Sequence, residues 1–324
     1  MLILAAAIAW ADPAALPPVL RADVGLTYRG GQTWGELSEH GETVGMEKGS
    51  LHTLHFDGTF VAYRGLAGTI GFDATPAARQ SWIDLPEMSF DPISRTGTYT
   101  GTESTGVVKQ KYGGWDGVWI GAAVAPYQLA NANVPLNLRI DVAFRTPGGR
   151  PAAVENGDRR GASAGGVAGE LKAAFSTHRG PATPYFVATG RLEGRRTVDG
   201  DRIGAASFVS GTIGSDWTLW TGAHEQQFQL QMWSSIAVLG PSFHTSGDSL
   251  ANTLPWMQGA PVFEAPHAEG RGYFGFDARF HKYVGMAFGV EGGIQAPHAV
   301  EHIYPVLREQ AEILGSLRVY GRVR

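Results

Sequence analysis

The segment His298-Ala299-Val300-Glu301-His302 matches the pattern H-x-x-E-H, in which two histidines bind zinc beside a catalytic glutamate. The pattern needs a helix, because only a helix brings residues one turn apart onto one face. Pro297 and Pro305 bracket the segment and leave too little chain for a stable helix. The sequence therefore does not favour a catalytic zinc site here.

A repeat around two of these histidines permits a weaker interpretation. The tetrapeptides Ala265-Pro266-His267-Ala268 and Ala296-Pro297-His298-Ala299 flank a hairpin predicted over residues 273–290, so both would lie at one end of a sheet. His267, His298 and His302 are thus weak candidates for a surface metal or ligand site. The alternative is that both tetrapeptides are proline-stiffened loop entries, and we predict no bound metal.

The other chemical signals are isolated. His244-Thr245-Ser246, with Asp248 nearby, offers an imidazole and a hydroxyl, but the flanking Gly240, Pro241 and Gly247 indicate a loop. A hydrolase therefore remains a minor alternative. The chain has no cysteine and no glycine-rich phosphate loop, so we predict no cofactor and no enzymatic activity.

Charged residues that alternate with apolar ones carry more information. They lie on or beside the polar faces of three successive predicted strands and are Arg139, Asp141, Arg145, Glu170, Lys172, Arg191 and Glu193. In a barrel these faces point into the lumen, where the charges would line a polar pathway. Because mixed signs also pair across strands, a salt-bridged and largely plugged interior is the alternative.

The strands that position these charges are visible as alternation with a period of two. In Leu136–Arg145, five apolar residues alternate with Asn137, Arg139, Asp141, Ala143 and Arg145, so one face of the strand is wholly apolar. Twelve further segments are predicted as strands: 20–28, 52–62, 66–72, 118–124, 167–175, 186–192, 208–213, 217–223, 228–238, 273–280, 284–290 and 313–323.

The connections between these segments are of two lengths. Short ones are Arg64-Gly65, Gly214-Ser215-Asp216 and His281-Lys282, whereas Gly31–Ser50, Thr146–Gly166 and Ile294–Ala311 are long and polar. Alternating the strands up and down from one side requires one more crossing within Leu239–Gly270. The sequence thus predicts an all-β, transmembrane, antiparallel up-and-down β-barrel of about fourteen strands, and twelve or sixteen would also fit.

Composition and the N-terminus agree with this class. Charged residues make up 17% of the 324, against roughly 25% in soluble domains. The net charge of −4 and the lack of a lysine-arginine run argue against a nucleic-acid partner. Residues 1–11 are predicted to be a signal peptide ending at Ala9-Trp10-Ala11, and residues 12–324 a single barrel domain.

Aromatic residues near the strand ends are predicted to form interfacial girdles, and they are Trp115, Trp119, Tyr127, Tyr185, Trp217, Trp220, Trp233 and Tyr283. At the level of class the chain resembles Gram-negative outer-membrane β-barrels. The resemblance implies a bacterial outer-membrane location, contact with lipid and with the barrel assembly machinery, and Tyr320 in the part of the usual terminal aromatic residue.

Within that class the sequence predicts a porin-like channel or facilitator for a small solute that it does not identify. A structural or adhesive barrel acting through its long loops is one alternative. The other is a secreted, soluble β-sandwich that binds a ligand, because the same alternation would there bury the apolar faces inward.

Overall fold

The structure is a computed structural model that describes residues 12–39, 42–83, 88–91, 96–99, 107–130, 135–149, 155–156, 159–160, 166–198, 201–245, 262–299 and 307–323. The predicted signal peptide lies outside these residues. Among the described residues, no helix is long and apolar enough to cross a membrane.

Twelve long strands follow one another in chain order, and each is antiparallel to both neighbours. The pairings of β3 with β4 and of β12 with β1 close the sheet, which confirms the predicted up-and-down barrel. The strands are β1 Ala22–Glu39, β2 Glu42–Tyr63, β3 Leu66–Ile83, β4 Val107–Val124, β5 Leu136–Arg145, β6 Ala168–Thr177, β7 Ala182–Glu193, β8 Phe208–Thr221, β9 Gln227–Leu239, β10 His267–His281, β11 Val284–Ala299 and β12 Leu307–Val323.

The barrel has twelve strands and not about fourteen, because two interpretations of the sequence were wrong. Gly214-Ser215-Asp216 is not a turn but the middle of β8, where Gly214 pairs with Trp233. The glycine is needed there because a Cβ would collide with the ring of Tyr185. Glycine in a strand often marks such a close approach.

The additional crossing expected within Leu239–Gly270 is also not seen in the part of that range the structure describes. Ser242–Thr245 and Val262–Glu264 join Arg195–Val198 and Asp201–Gly204 in a separate four-stranded sheet. The predicted turn at Gly214-Ser215-Asp216 counts β8 as two strands, and this inverts the expected direction of every later strand. The additional crossing within Leu239–Gly270 compensates for that error. With β8 intact, twelve strands alternate without a correction.

The two ends of the barrel differ. At one end, the short-turn end, brief connections join the strands, including Arg64-Gly65, the helix Pro126–Leu129 and the 3-10 turn Ala223–Glu225. At the other, the long-loop end, lie the four-stranded sheet and the small strand pairs Met88–Asp91 with Thr96–Tyr99 and Glu155–Asn156 with Arg159–Arg160.

Two of the predicted long loops are partly strand. β1 runs to Glu39 and β2 begins at Glu42, so most of Gly31–Ser50 extends the wall, and β11 continues to Ala299. The asymmetry between the ends nevertheless stands, as outer-membrane barrels show it.

The wall is apolar outside and polar inside. On β5, Val142 and Phe144 are 59% and 55% exposed, whereas Arg145 is 1% exposed. A soluble domain buries its apolar side chains, so the soluble β-sandwich interpretation is wrong. The buried polar residues of the barrel strands include Asp23, Arg29, Thr33, Thr53, Ser176, Ser210, Gln229, Gln231, Glu269, Asp277, Glu291, Gln310 and Arg318.

Candidate functional site

The lumen contains a cavity of about 620 Å³ that is lined by eleven of the twelve strands, all except β11, and by residues of the segment 12–18. Strand alternation places polar side chains there, since every second residue points inward. Five of the seven charged residues predicted to face the lumen line this cavity, namely Arg139, Asp141, Glu170, Lys172 and Arg191. The other two, Arg145 and Glu193, do not line it.

Most of the lining charges are paired. Arg139 Nε lies 3.0 and 2.9 Å from the two carboxylate oxygens of Asp141, and Arg191 Nη2 lies 2.6 Å from Glu170 Oε2. Among the described residues, Lys172 takes part in no ion pair. These charges thus line a cavity and also cross-link its walls by salt bridges. That they form a pathway for a solute stays a prediction.

Arg145 and Glu193 form a buried clamp. Arg145 Nη2 donates to Glu193 Oε2 at 2.6 Å, and Arg145 Nη1 donates to Asp116 Oδ2 at 2.9 Å. Asp116 lies in a bulge of β4, where Gly117 adopts a positive φ of 78° and Thr146 donates its backbone N–H to Val118 O. The clamp thus joins β4, β5 and β7, and its role is structural.

Two arginines of β12 also line the cavity and had not been singled out from the sequence. Arg318 Nη2 donates to Asp57 Oδ2 at 2.8 Å, and Arg322 Nε donates to Asp23 Oδ1 at 2.7 Å. The alternation of Leu317-Arg318-Val319-Tyr320 contained the signal that could have identified them.

A second charged layer lies toward the long-loop end. Arg271 Nη1 is 3.0 Å from Glu291 Oε1 and 2.6 Å from Glu312 Oε1, and its Nε is 3.7 Å from Glu269 Oε2. Arg29 Nε approaches Glu291 Oε2 at 3.8 Å. These buried charges compensate one another across β1, β10, β11 and β12, which stiffens this part of the wall.

Residues 12–18, here called the N-terminal segment, enter the short-turn end of the lumen. Asp12 accepts hydrogen bonds from Asn137 Nδ2 at 2.6 Å and from the hydroxyl of Ser176. Leu16 is 7% exposed and packs in an apolar cluster with residues of β2, β3 and β4. The segment therefore occludes part of this end, a feature that no pattern in the sequence indicated.

Aromatic residues line the lumen as well as the outer surface. Arg191 lies over the rings of Trp119 and Phe208, with 4.6 and 5.0 Å from its guanidinium carbon to the ring centroids. The ring of Trp233 stacks on that of Tyr273, with 5.6 Å between the two ring centroids.

The girdle prediction is consequently only partly right. Trp115, Trp217 and Trp220 are exposed on the outer face, and Tyr127 and Tyr283 lie in connections at the short-turn end. It is wrong for Trp119 and Trp233, which are buried inside the barrel, and for Tyr185, which packs beside Trp233. Tyr320 also points inward and donates its hydroxyl to Asp277 at 2.6 Å, so it is not a lipid-facing terminal aromatic residue.

The candidate metal ligands are brought together only in part. His267 and His298 stack with ring centroids 3.8 Å apart, and each Nδ1 lies about 3 Å from the carbonyl oxygen two residues earlier. His302, Ser246 and Asp248 lie outside the described residues. His298 belongs to β11, so the H-x-x-E-H pattern does not start on a helix. Within the described part of the chain, no cluster of three or more ligating residues fits a metal ion.

No protein-family model and no curated protein matches the sequence. Among solved structures, an outer membrane channel from Pseudomonas putida F1 is similar, with a TM-score of 0.53, 13% identity, and coverage of 96% of this chain and 98% of that one. A Pseudomonas aeruginosa FadL homologue has a TM-score of 0.41 and 9% identity, with coverage of 93% and 90%. An anion-selective porin from Comamonas acidovorans has a TM-score of 0.32 and 10% identity, with coverage of 91% and 99%.

The first of these similarities concerns the fold alone, since the identity is low. Closed topology, an apolar outer face, unequal ends and this match lead to one conclusion. By fold, the chain is an outer-membrane β-barrel.

Proposed function

We propose that the protein is an outer-membrane channel through which one class of small solute passes by facilitated diffusion. The observation that carries this proposal is a cavity of about 620 Å³, lined by charged, polar and aromatic side chains, inside a wall whose outer face is apolar. A cavity of this size suits a molecule of a few hundred daltons. Its aromatic and paired charged walls favour a solute with both apolar and polar parts.

The position of the N-terminal segment in the lumen determines how large a conductance we expect. Because it occupies the short-turn end of the lumen, the resting channel should pass few ions. Replacing residues 13–18 by a glycine-serine linker of equal length, together with Asp12→Ala, removes its anchors. In planar bilayers we expect small conductance steps from the parent protein and severalfold larger steps from this variant.

Arg179→Ser is the matched control, because Arg179 is exposed at the same end and does not line the cavity. Its conductance should equal that of the parent. Solute-driven swelling of proteoliposomes then identifies which solutes pass.

The second candidate is a structural or adhesive barrel that acts through its long-loop end, and the occluding segment is the observation that favours it. The same bilayer experiment separates the two. Absence of conductance from both the parent and the linker variant would contradict the channel proposal and leave the structural role.

A further inference from the structure

Three hydrogen-bond acceptors on β8 and β9 line the cavity without a donor of their own. Asp216 of β8 is 3% exposed, and within the described part of the chain its carboxylate forms no ion pair and accepts no hydrogen bond. On β9, its cross-strand partner Gln231 is 3% exposed and Gln229 is 2% exposed. The side-chain carbonyl oxygen of each glutamine has no hydrogen-bond partner among the described residues. We call Asp216, Gln229 and Gln231 the acceptor cluster.

The hydrogen bonds around the acceptor cluster engage a nitrogen and leave the oxygens over. Gln229 Nε2 donates to Thr218 Oγ1 at 3.1 Å, and Gln227 Nε2 donates to the same hydroxyl oxygen at 2.9 Å. A buried acceptor without a donor is unfavourable, and a buried carboxylate without a counter-charge is more so. The acceptor cluster therefore favours a ligand that brings both hydrogen-bond donors and a positive charge.

The cations that share the cavity do not supply that charge. Arg318 and Arg322 each bind an aspartate of another strand. Arg279 lies two cross-strand rows nearer the short-turn end. Lys172 pairs with a residue of β7 that is six positions, or about 20 Å, from the partner of Asp216 on that strand. Within the described residues, the charge of Asp216 is thus left for a group from outside the chain.

Two aromatic rings lie beside the acceptor cluster, on the side of the long-loop end. Trp233 follows Gln231 by two residues on the inner face of β9, about 7 Å along the strand. Tyr185 packs against the stacked rings of Trp233 and Tyr273, and both Trp233 and Tyr185 line the cavity. Aromatic faces pack against apolar groups and also attract ammonium groups. Negative charge and aromatic surface therefore adjoin in one part of the lumen.

We propose that the acceptor cluster binds the ammonium group of a primary amine whose apolar body packs against Trp233 and Tyr185. The amine is the class of solute that the proposed channel takes, so this inference rests on the proposed function. A primary ammonium group has three N–H donors, which match the Asp216 carboxylate and the two glutamine oxygens. An inorganic cation would leave the aromatic rings unused, and the described residues contain no cluster of three or more ligating residues that fits a metal ion.

The test measures binding at equilibrium, which does not depend on passage through the channel. The full-length protein, folded in detergent, is titrated in a calorimeter with phenethylamine, with its neutral analogue 2-phenylethanol and with potassium chloride. The first variant, Asp216→Asn, keeps the shape of the side chain. The control, Glu225→Gln, removes the same charge from an exposed position at the short-turn end that does not line the cavity.

We expect phenethylamine to bind the parent and the Glu225→Gln control equally. It should bind Asp216→Asn at least about tenfold more weakly, because hydrogen bonds to a charged group are stronger than neutral ones. Phenethylamine should also raise the temperature of the heat-modifiable shift in the parent but not in Asp216→Asn. Without ligand, Asp216→Asn should be at least as heat-stable as the parent, since it loses a buried charge without a counter-charge.

Three outcomes would overturn the proposal. They are equal affinity of phenethylamine for the parent and Asp216→Asn, equal affinity of the parent for phenethylamine and 2-phenylethanol, and binding of potassium that phenethylamine does not displace. If Asp216→Asn does not assemble, Gln231→Leu takes its place. That variant should bind phenethylamine severalfold more weakly than the parent, and unchanged affinity would contradict the proposal.

Conductance in planar bilayers tests the proposed function separately. Conductance without amine binding would contradict only the amine subsite. Amine binding with the expected loss in Asp216→Asn, but without conductance from either the parent or the linker variant, would support the subsite and contradict the channel.

Discussion

At the scale of single residues, alternation predicted which side of the wall a side chain faces but not what it contacts there. All seven charges singled out from the sequence point inward, yet Arg145 and Glu193 are locked in a buried clamp. The partner Asp116 belongs to a bulge in another strand, and its position depends on tertiary pairing. The alternation of side chains along a strand does not show where a bulge occurs, so the clamp could not be predicted.

Replacing Arg145 with methionine should be strongly destabilising. The change leaves Glu193, whose side chain is 1% exposed, as an unpaired buried charge. Breaking a buried pair from one side costs about 3–5 kcal/mol, whereas removing both charges is far less costly. We therefore expect Arg145→Met to lower the heat-modifiability midpoint markedly, and Arg145→Met with Glu193→Gln to recover much of the loss.

Arg139→Met is the matched comparison, because Arg139 and Asp141 line the cavity, with side chains 17% and 13% exposed against 1% for those of the clamp. Its effect should be about 1 kcal/mol or less. An equal loss from Arg139→Met and Arg145→Met would show that the clamp has no special role.

At the scale of elements, most of the strands could be located from the sequence but not all of their boundaries. Gly214-Ser215-Asp216 has the composition of a turn, and the reason for its glycine is the ring of Tyr185 on the neighbouring strand β7. Local sequence does not contain that neighbour. The extension of β1 and β2 through polar residues was missed for a related reason, since strand pairing continues beyond the apolar band.

The single strand β8 predicts how the protein responds to insertion. An epitope inserted after Ser215 would break its pairing with β7 and β9 in the middle of the wall. We expect this variant to lose the heat-modifiable outer-membrane band. The same epitope after Lys282, in a short turn, should be tolerated. A folded barrel carrying the insertion after Ser215 would show that β8 is two strands separated by a turn.

At the scale of the whole molecule, low charge content, loop asymmetry and alternation were sufficient to predict a closed barrel. They were not sufficient to predict its contents. The N-terminal segment enters the lumen through contacts of Asp12 with Asn137 and Ser176, which are far apart in sequence. A prolyl, partly apolar segment has no periodicity that distinguishes a luminal position from a linker. The identity of the solute could not be predicted from the sequence either, because it depends on the shape of the cavity.

The orientation of the barrel is the last prediction, and the chain is well suited to test it because it contains no native cysteine. Thr197 is exposed at the long-loop end, and Ala223 is exposed at the short-turn end. Outer-membrane barrels place their short turns in the periplasm. In whole cells, a membrane-impermeant maleimide should therefore label Thr197→Cys at once, and Ala223→Cys only after the outer membrane is permeabilised. The reverse result would mean that the long-loop end faces the periplasm, which would contradict the orientation expected from the unequal ends.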